Sequence, residues 1–205
     1  MKIERGIAVT KRPWVSTVLA IGVALCGTTH GAAQSKSLAD LGTGKLLVSS
    51  KDLPDPTFAK SVVLLFQYDQ NGAAGLIIDR RTEVPISRIF KDLETTKHGS
   101  DPIYLGGPVE MQAVLGLLRS QNRPDDTTSV LREVYLVSRK TPLEKALTAT
   151  SGGNEVRVYL GYCGWAGGQL ENEVRLGGWW IFDASAGLVF RSQPGLRVGS
   201  AHRPH

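Results

Sequence analysis

Glycine and tryptophan crowd together in residues 161–174, which read GYCGWAGGQLENEV. The segment lies between a β-like run that ends at Leu160 and a short charged helix that we predict over 168–176. Glycine allows left-handed backbone and close approach of chain to chain, which other residues rarely tolerate. These residues therefore restrict how a sheet can continue past this point.

Two interpretations of 161–174 remain open. One is a tight strand-to-helix turn, with Tyr162 and Trp165 packed against the sheet. The other is a binding loop, in which the free N–H groups of a helix N-terminus meet an anion. Glu171 and Glu173 would repel an anion there, because they already complement the positive end of the helix dipole. The turn is the favoured interpretation.

Composition and charge are those of a globular protein rather than a nucleic-acid-binding one. The chain has 205 residues, 41% hydrophobic and 21% charged, and its formal net charge is +5. That length and balance are typical of one globular domain. Lys2, Arg5, Lys11 and Arg12 against Glu4 hold three of the five net positive charges. Sequence-specific nucleic-acid binding requires a strong positive field, so no nucleic-acid partner is expected.

Residues 1–33 are typical of a secretory signal peptide. A basic segment that ends at Arg12 precedes an apolar run over 15–26 and small residues over 28–33. The apolar run is shorter than the roughly 20 residues that cross a bilayer. Leu25 stands before Cys26 where a lipobox needs a small residue, so no lipid anchor is expected. We expect an exported, periplasmic protein with no transmembrane segment after cleavage; an uncleaved anchor and a cytoplasmic protein with a misplaced start codon are the alternatives.

After the signal, we predict a flexible lead-in over 34–43, one domain over 44–192 and a loose tail over 193–205. Apolar patterning predicts more strands than helices, which indicates an α+β fold. The sequence Asn71-Gly72 indicates a hairpin. Strands are predicted over 45–50, 61–68, 73–79, 101–109 with a break at 106–108, 134–138, 155–160, 179–182 and 188–191. Helices are predicted over 85–94, over 141–148 with Thr141 as N-cap, and over 168–176 with a Glu171–Arg175 pair and a stop at Gly177-Gly178. The segment 113–118 stays open between strand and helix, and 121–129 is predicted as an exposed loop.

The motifs together resemble the bacterial YqgE/AlgH family. The segments that carry the resemblance are 161–173, 44–48 with 53–58, 62–65 with 72–78, and 104–109. The resemblance implies one α+β domain with a mixed, mostly antiparallel, bulged and coiled sheet and a few flanking helices. It favours a strand over 113–118. The family has no established reaction, although some members are described as regulators of alginate synthesis.

Three features depart from the family pattern. In the closing region, where members commonly carry a further tryptophan near a terminal helix, residues 195–205 stand instead. Members usually continue the central hairpin with Asn-Arg-Pro, whereas Asp79-Arg80-Arg81 stands here. An export signal is also unusual, because the family is generally regarded as cytoplasmic.

Glycine turns in two segments are expected to converge on one cleft, with Trp165 as its apolar wall. The candidate binding residues are Gly107, Pro108, Gly161, Tyr162, Gly164, Trp165, Gly168 and Gln169.

Reactive groups are few. Cys163 would need a base or a lowered pKa to act as a nucleophile, and only His98 lies within the predicted domain, so a buried inert thiol is favoured. His202 and His205 are too few for an ordinary metal site. Residues 42–45 lack the full spacing of a phosphate loop. No cofactor or metal is therefore expected.

These observations favour a non-enzymatic binding protein, with an accessory or regulatory role in the cell envelope. Two alternatives stay open: a cytoplasmic protein of the transcriptional-regulator type, and a thiol-dependent enzyme that uses Cys163.

Overall fold

Ten strands in the described part of the chain form a coiled, almost entirely antiparallel sheet. The computed structural model describes residues 38–51, 53, 55–93, 97–149 and 155–191. The strand order is β10-β1-β2-β3-β9-β6-β8-β7, with β4 paired to β5, and β5 lies parallel to β9. The strands are β1 Lys45–Ser49, β2 Val62–Asp69, β3 Gly72–Ile77, β4 Arg81–Pro85, β5 Pro102–Leu105, β6 Val109–Arg119, β7 Thr128–Leu131, β8 Val134–Val137, β9 Glu155–Ala166 and β10 Trp179–Asp183.

Three short α-helices flank this sheet in the described ranges: α1 Lys140–Thr148, α2 Gln169–Arg175 and α3 Ala186–Val189. Single 3-10 turns occupy Leu38–Asp40, Pro56–Phe58, Ile86–Arg88 and Lys91–Leu93. None of the described helices combines the length and apolar content needed to cross a bilayer. The α+β fold predicted from the sequence is confirmed.

The continuous apolar run of β2 is buried on both faces of the sheet. Leu64 and Phe66 enter one cluster with Leu76, Leu115 and Tyr159. Val63 and Leu65 point the other way, into a second cluster that also holds Trp165 and Trp179. Successive side chains of a strand alternate between faces, so one strand supplies both cores. A third cluster lies under α1 and contains Leu143, Leu147 and Val158.

The longest strand, β9, runs straight through the segment predicted to be a turn. The predicted end at Leu160 is wrong: β5 pairs with β9 up to Leu160, β6 pairs with it up to Tyr162, and β3 pairs with residues 163–166. Gly161 has φ +67°, which bends the strand without ending it. Residues 161–166 therefore belong to the sheet, and only 167–168 form the turn into α2.

Two further element predictions are wrong. Residues 85–93 form no α-helix: Pro85 ends β4, and two 3-10 turns, Ile86–Arg88 and Lys91–Leu93, follow it. Ile86 in the first turn and Phe90 between the two turns both reach the third cluster. The i, i+4 spacing of Ile86 and Phe90 therefore buries both side chains without an α-helix. Glu94, the last residue of the predicted helix, lies outside the described residues. The strand predicted over 188–191 is instead α3, which begins where the Ser185 hydroxyl accepts from the Leu188 N–H at 3.3 Å.

Smaller corrections concern the loop over 121–129 and the start of α1. Thr128 and Ser129 begin β7, whose exposed polar residues hid the strand. Helix α1 begins after Arg139 rather than Thr141, and Arg139 makes no side-chain cap. The open segment 113–118 is strand β6, as the family resemblance favoured. The predicted signal peptide, His202 and His205 lie outside the described residues.

Candidate functional site

The glycine-containing residues 106–108 cross β9 in direct contact with residues 161–163. The Gly106 N–H donates to the Leu160 carbonyl at 2.7 Å, and the Gly106 carbonyl accepts from the Ile77 N–H at 2.8 Å. A Cβ added at Gly107, where φ is +155°, would overlap the backbone of Tyr162. Glycine is therefore required where the chain between β5 and β6 touches β9. We call this crossing of residues 106–108 with 161–163 the glycine junction.

A four-residue bulge in β6 lies against the glycine junction. Val109 pairs with Tyr162 and Val114 pairs with Leu160, so residues 110–113 face only Gly161 on β9. A Cβ at Gly161 would overlap the Gly107 carbonyl oxygen and lie 3.0 Å from the Val109 carbonyl oxygen. Bulges re-aim side chains and occur often beside functional sites. We call residues 110–113 the β6 bulge.

The β6 bulge combines backbone strain with exposed side chains. Glu110 has φ +43°, a left-handed conformation that costs a non-glycine residue energy. Met111 is 63% exposed, the second most exposed of the large apolar side chains in the described ranges. The Tyr162 hydroxyl lies 3.5 Å from Glu110 Oε1. Burial, followed by the Glu110 carboxylate, raises the pKa of Tyr162.

We call residues 161–174 the glycine–tryptophan signature. Its second half is organised around the carboxylate of Glu173. Glu173 Oε2 accepts from the indole N–H of Trp165 at 2.9 Å and from that of Trp179 at 2.8 Å. Its Oε1 accepts from the Gln169 side-chain amide at 2.9 Å. The Gln169 oxygen in turn accepts from the Ala166 N–H at 3.1 Å. We call this set the Glu173 hub; it fastens α2 to β9 and β10.

Helix α2 is fixed at its C-terminal end by local backbone bonds. It starts after Gly168 and ends in a Schellman motif, in which the Gly177 N–H bonds the Val174 carbonyl and the Gly178 N–H bonds the Glu173 carbonyl, both at 2.9 Å. This end confirms the predicted stop.

The predicted Glu171–Arg175 pair is wrong. Glu171 accepts from the Tyr68 hydroxyl at 2.7 Å, and Arg175 donates to Asn172 at 3.3 Å. Burial, followed by the bond to Glu171, raises the pKa of Tyr68 to about 12.

The structure divides the eight predicted site residues into two groups. The first group surrounds the glycine junction: Gly107, Pro108, Gly161, Tyr162 and Gly164. The second belongs to the Glu173 hub and its turn: Trp165, Gly168 and Gln169. Trp165 packs in the second cluster, where its ring centroid lies 6.1 Å from that of Phe58 and 6.0 Å from that of Trp179. Tyr162 packs in the first cluster. Trp165 is therefore a core residue on the face opposite Tyr162.

Cys163 is fully buried, as the sequence predicted. Its thiol donates to the Gly106 carbonyl at 3.4 Å. Burial raises its pKa well above the ordinary value, which disfavours the thiolate that nucleophilic chemistry requires.

The remaining motifs are architectural too. The Gly44 N–H donates to the Leu65 carbonyl at 2.8 Å, so the glycines before Lys45 serve the sheet. The described residues hold no group of three metal-ligating side chains.

The sequence analysis did not predict a half-buried cluster around Arg157. Arg157 lies 5.1 Å from the Tyr104 ring centroid and 5.4 Å from that of Phe190. Its guanidinium donates to the Val189 carbonyl at 2.7 Å and the Arg191 carbonyl at 2.9 Å. Arg157 thereby clamps α3 to β9. The sequence placed Arg157 only in a strand of alternating charged and apolar residues. Such a pattern does not show which groups the side chain contacts.

Beside Arg157, the Tyr159 hydroxyl is buried and makes no hydrogen bond to any described residue. Its ring contacts that of Tyr104 at 5.3 Å, and burial raises its pKa strongly. Asp79 stands nearby, and burial raises its pKa although its carboxylate accepts from the Val62 N–H at 3.2 Å. Arg80 donates to the Thr57 carbonyl and to the Ser61 hydroxyl. The sequence that departs from the family's Asn-Arg-Pro thus ties the end of β3 to the start of β2.

Comparisons with known proteins agree with this architecture. A UPF0301 protein of Streptomyces coelicolor is 31% identical over 72% of this chain and 78% of its own length. A UPF0301 protein of Cupriavidus metallidurans is 31% identical over 78% of this chain and 86% of its own. The solution structure of the AlgH protein from Pseudomonas aeruginosa matches with a TM-score of 0.61 and 27% identity, over 73% of this chain and 80% of that one.

A crystal structure of a Corynebacterium diphtheriae protein has the same fold, with a TM-score of 0.57 and 24% identity over 70% of this chain and 76% of that one. The family model described as AlgH-like matches residues 46–203. The chain therefore belongs to the AlgH-like family.

Proposed function

We propose that this protein is a non-enzymatic binding protein, with an accessory or regulatory role in the cell envelope. The observation that carries the proposal is the β6 bulge, which presents the exposed Met111 beside the strained Glu110. Methionine is enriched at protein interfaces, because its flexible side chain adapts to varied partners. Backbone strain that a fold retains clusters at functional sites.

The chemistry of the signature supports binding over catalysis. The Cys163 thiol is buried and hydrogen-bonded, and the Glu173 carboxylate is shared by two indoles. A catalytic group must reach its substrate, and these groups face the protein interior. No feature of the described residues favours the thiol-dependent enzyme or the cytoplasmic regulator over the proposed role.

Residues 1–33 support export, because the basic, apolar and small-residue zones follow one another in the order of a signal peptide. The mass of the mature N-terminus in cell fractions tests this part. A shortened form in the envelope fraction would support export. A full-length cytoplasmic form would refute it.

Site-specific photocrosslinking tests the binding surface. A photoreactive residue in place of Met111 is expected to give a discrete adduct in cells, whereas the same residue at the exposed Gln121 gives none. Untagged wild-type protein should compete for that adduct, and a Met111→Asp variant should not, because a buried unpaired charge opposes an apolar contact. Equal adducts at both positions, or equal competition by both proteins, would contradict the proposal.

A further inference from the structure

A cavity of about 600 Å³ separates α1 from the loop that precedes β7. Pro124, Asp125, Asp126 and Thr127 form one wall, and residues 139–142, 145, 146 and 149 form the other. Small-molecule sites have volumes of about 300–1,000 Å³. The cavity shares no residue with the glycine junction, so an inference drawn from it does not depend on the proposed function.

The floor of the cavity is apolar. Leu118 and Val137 contribute it from β6 and β8, and they are only 3% and 1% exposed. Half-buried Pro124, Pro142 and Ala146 continue it toward the rim. A ligand that reaches this floor therefore needs an apolar body, since a polar group there would lose its hydrogen bonds to water.

The loop wall is held in one shape by its own hydrogen bonds. The Arg123 guanidinium donates to the Thr127 carbonyl at 2.8 Å, and the Thr127 hydroxyl donates to the Pro124 carbonyl at 2.7 Å. Thr127 is buried although it lies in a loop. A wall that is already ordered lowers the entropy cost of binding.

Most charges on the rim are already paired. Asp126 Oδ1 lies 3.5 Å from a guanidinium nitrogen of Arg139, and Lys140 Nζ lies 3.7 Å from Glu144 Oε1. Two rim charges remain: Asp125 on the loop and Lys145 on α1. Neither has an oppositely charged group within 4.0 Å among the residues that the structure describes. The cavity thus offers one carboxylate and one ammonium group above an apolar floor.

We propose that this cavity binds a small zwitterion with an apolar body, of the class of aromatic or branched amino acids. The ligand's ammonium group pairs with Asp125, its carboxylate pairs with Lys145, and its side chain rests on Leu118 and Val137. Each charge of the site then meets one opposite charge of the ligand. A ligand with a single charge satisfies only one of them.

Three probes of similar size separate these contributions: L-phenylalanine, 3-phenylpropionate without the ammonium group, and 2-phenylethylamine without the carboxylate. Amide chemical shifts of the full chain, followed by NMR during titration at neutral pH, give each affinity. We expect phenylalanine to bind about five-fold more tightly than either analogue, the effect of one partly exposed ion pair near 1 kcal/mol. The shifts should centre on the cavity residues.

Variants assign each charge. Asp125→Asn should weaken phenylalanine about five-fold and leave 3-phenylpropionate unchanged, because that probe has no ammonium group. Lys145→Gln should weaken phenylalanine equally and leave 2-phenylethylamine unchanged. Lys91→Gln, outside the cavity lining, is the matched control and should change nothing. Ala146→Leu, which fills the cavity with a good helix former, should weaken all three probes.

Several results would overturn the proposal. Equal affinities for the three probes would show that apolar contact alone is responsible. Unchanged binding in Ala146→Leu would place the ligand elsewhere. No shift in the cavity residues at probe concentrations up to about 20 mM, well above a millimolar Kd, would show that the cavity binds no such ligand.

Discussion

Replacing Gly161 by alanine is expected to lower the free energy of unfolding by about 3 kcal/mol. The residue has φ +67°, and a left-handed conformation costs an alanine roughly 1–2 kcal/mol. The added Cβ would also overlap the Gly107 carbonyl oxygen and press on the backbone of Met111 at 3.2 Å. Overpacking of this kind costs about 1–3 kcal/mol. Backbone on both sides prevents easy relaxation, so the two costs combine.

Gly164→Ala is the matched control within the same signature. Its Cβ would meet the Val109 side chain at 3.6 Å and the Tyr162 ring at 3.7 Å, which are ordinary contacts. This variant should be neutral or gain up to about 1 kcal/mol, since alanine restricts the unfolded chain more than glycine. Urea unfolding followed by tryptophan fluorescence measures both changes. Equal effects of the two substitutions would refute the assignment of Gly161 to strand geometry.

Four further predictions follow from the described contacts. Cys163 should react with a thiol reagent at neutral pH only after denaturation; rapid labelling of the folded protein would contradict its burial. Arg157→Met should cost about 2–3 kcal/mol, because it removes two charge-assisted bonds to carbonyls near α3, and faster hydrogen exchange in α3 would report the loss. Tyr159→Phe should be neutral or stabilising by up to about 1 kcal/mol, since its hydroxyl is unpaired; a large loss in urea unfolding would reveal a hidden partner. The folded pKa of Tyr68, about 12, lies above its unfolded value, so stability should fall as pH rises from about 10 toward 12, and less steeply in Tyr68→Phe; parallel pH profiles of the two proteins would argue against this assignment.

The sequence predicted elements whose signal is local. The apolar run of β2 and the aromatic strand β10 were recognised because burial leaves a readable pattern. The stop at Gly177 was recognised from glycine alone. Helix α3 was missed, because its four residues are too few to show a helical period.

The interpretation of the signature was half right for a physical reason. A glycine cluster indicates unusual backbone, and pattern alone does not distinguish a turn from a bent strand. Gly161 bends β9 because β6 and β3 hold the strand on either side of it. The Glu173 hub was equally hidden, since Trp165, Glu173 and Trp179 meet only after β9, α2 and β10 are assembled. Tertiary contacts of this kind leave no spacing to read.

The central claim is that the glycine–tryptophan signature builds the junction of β9, α2 and β10. A Glu173→Gln variant tests it most directly, with urea unfolding and the indole N–H resonances of Trp165 and Trp179 measured by NMR. A neutral amide keeps the size of the side chain but replaces one acceptor with a donor that faces other donors. We expect both resonances to move and the free energy of unfolding to fall by about 1–3 kcal/mol. Unchanged resonances with unchanged stability would contradict the claim.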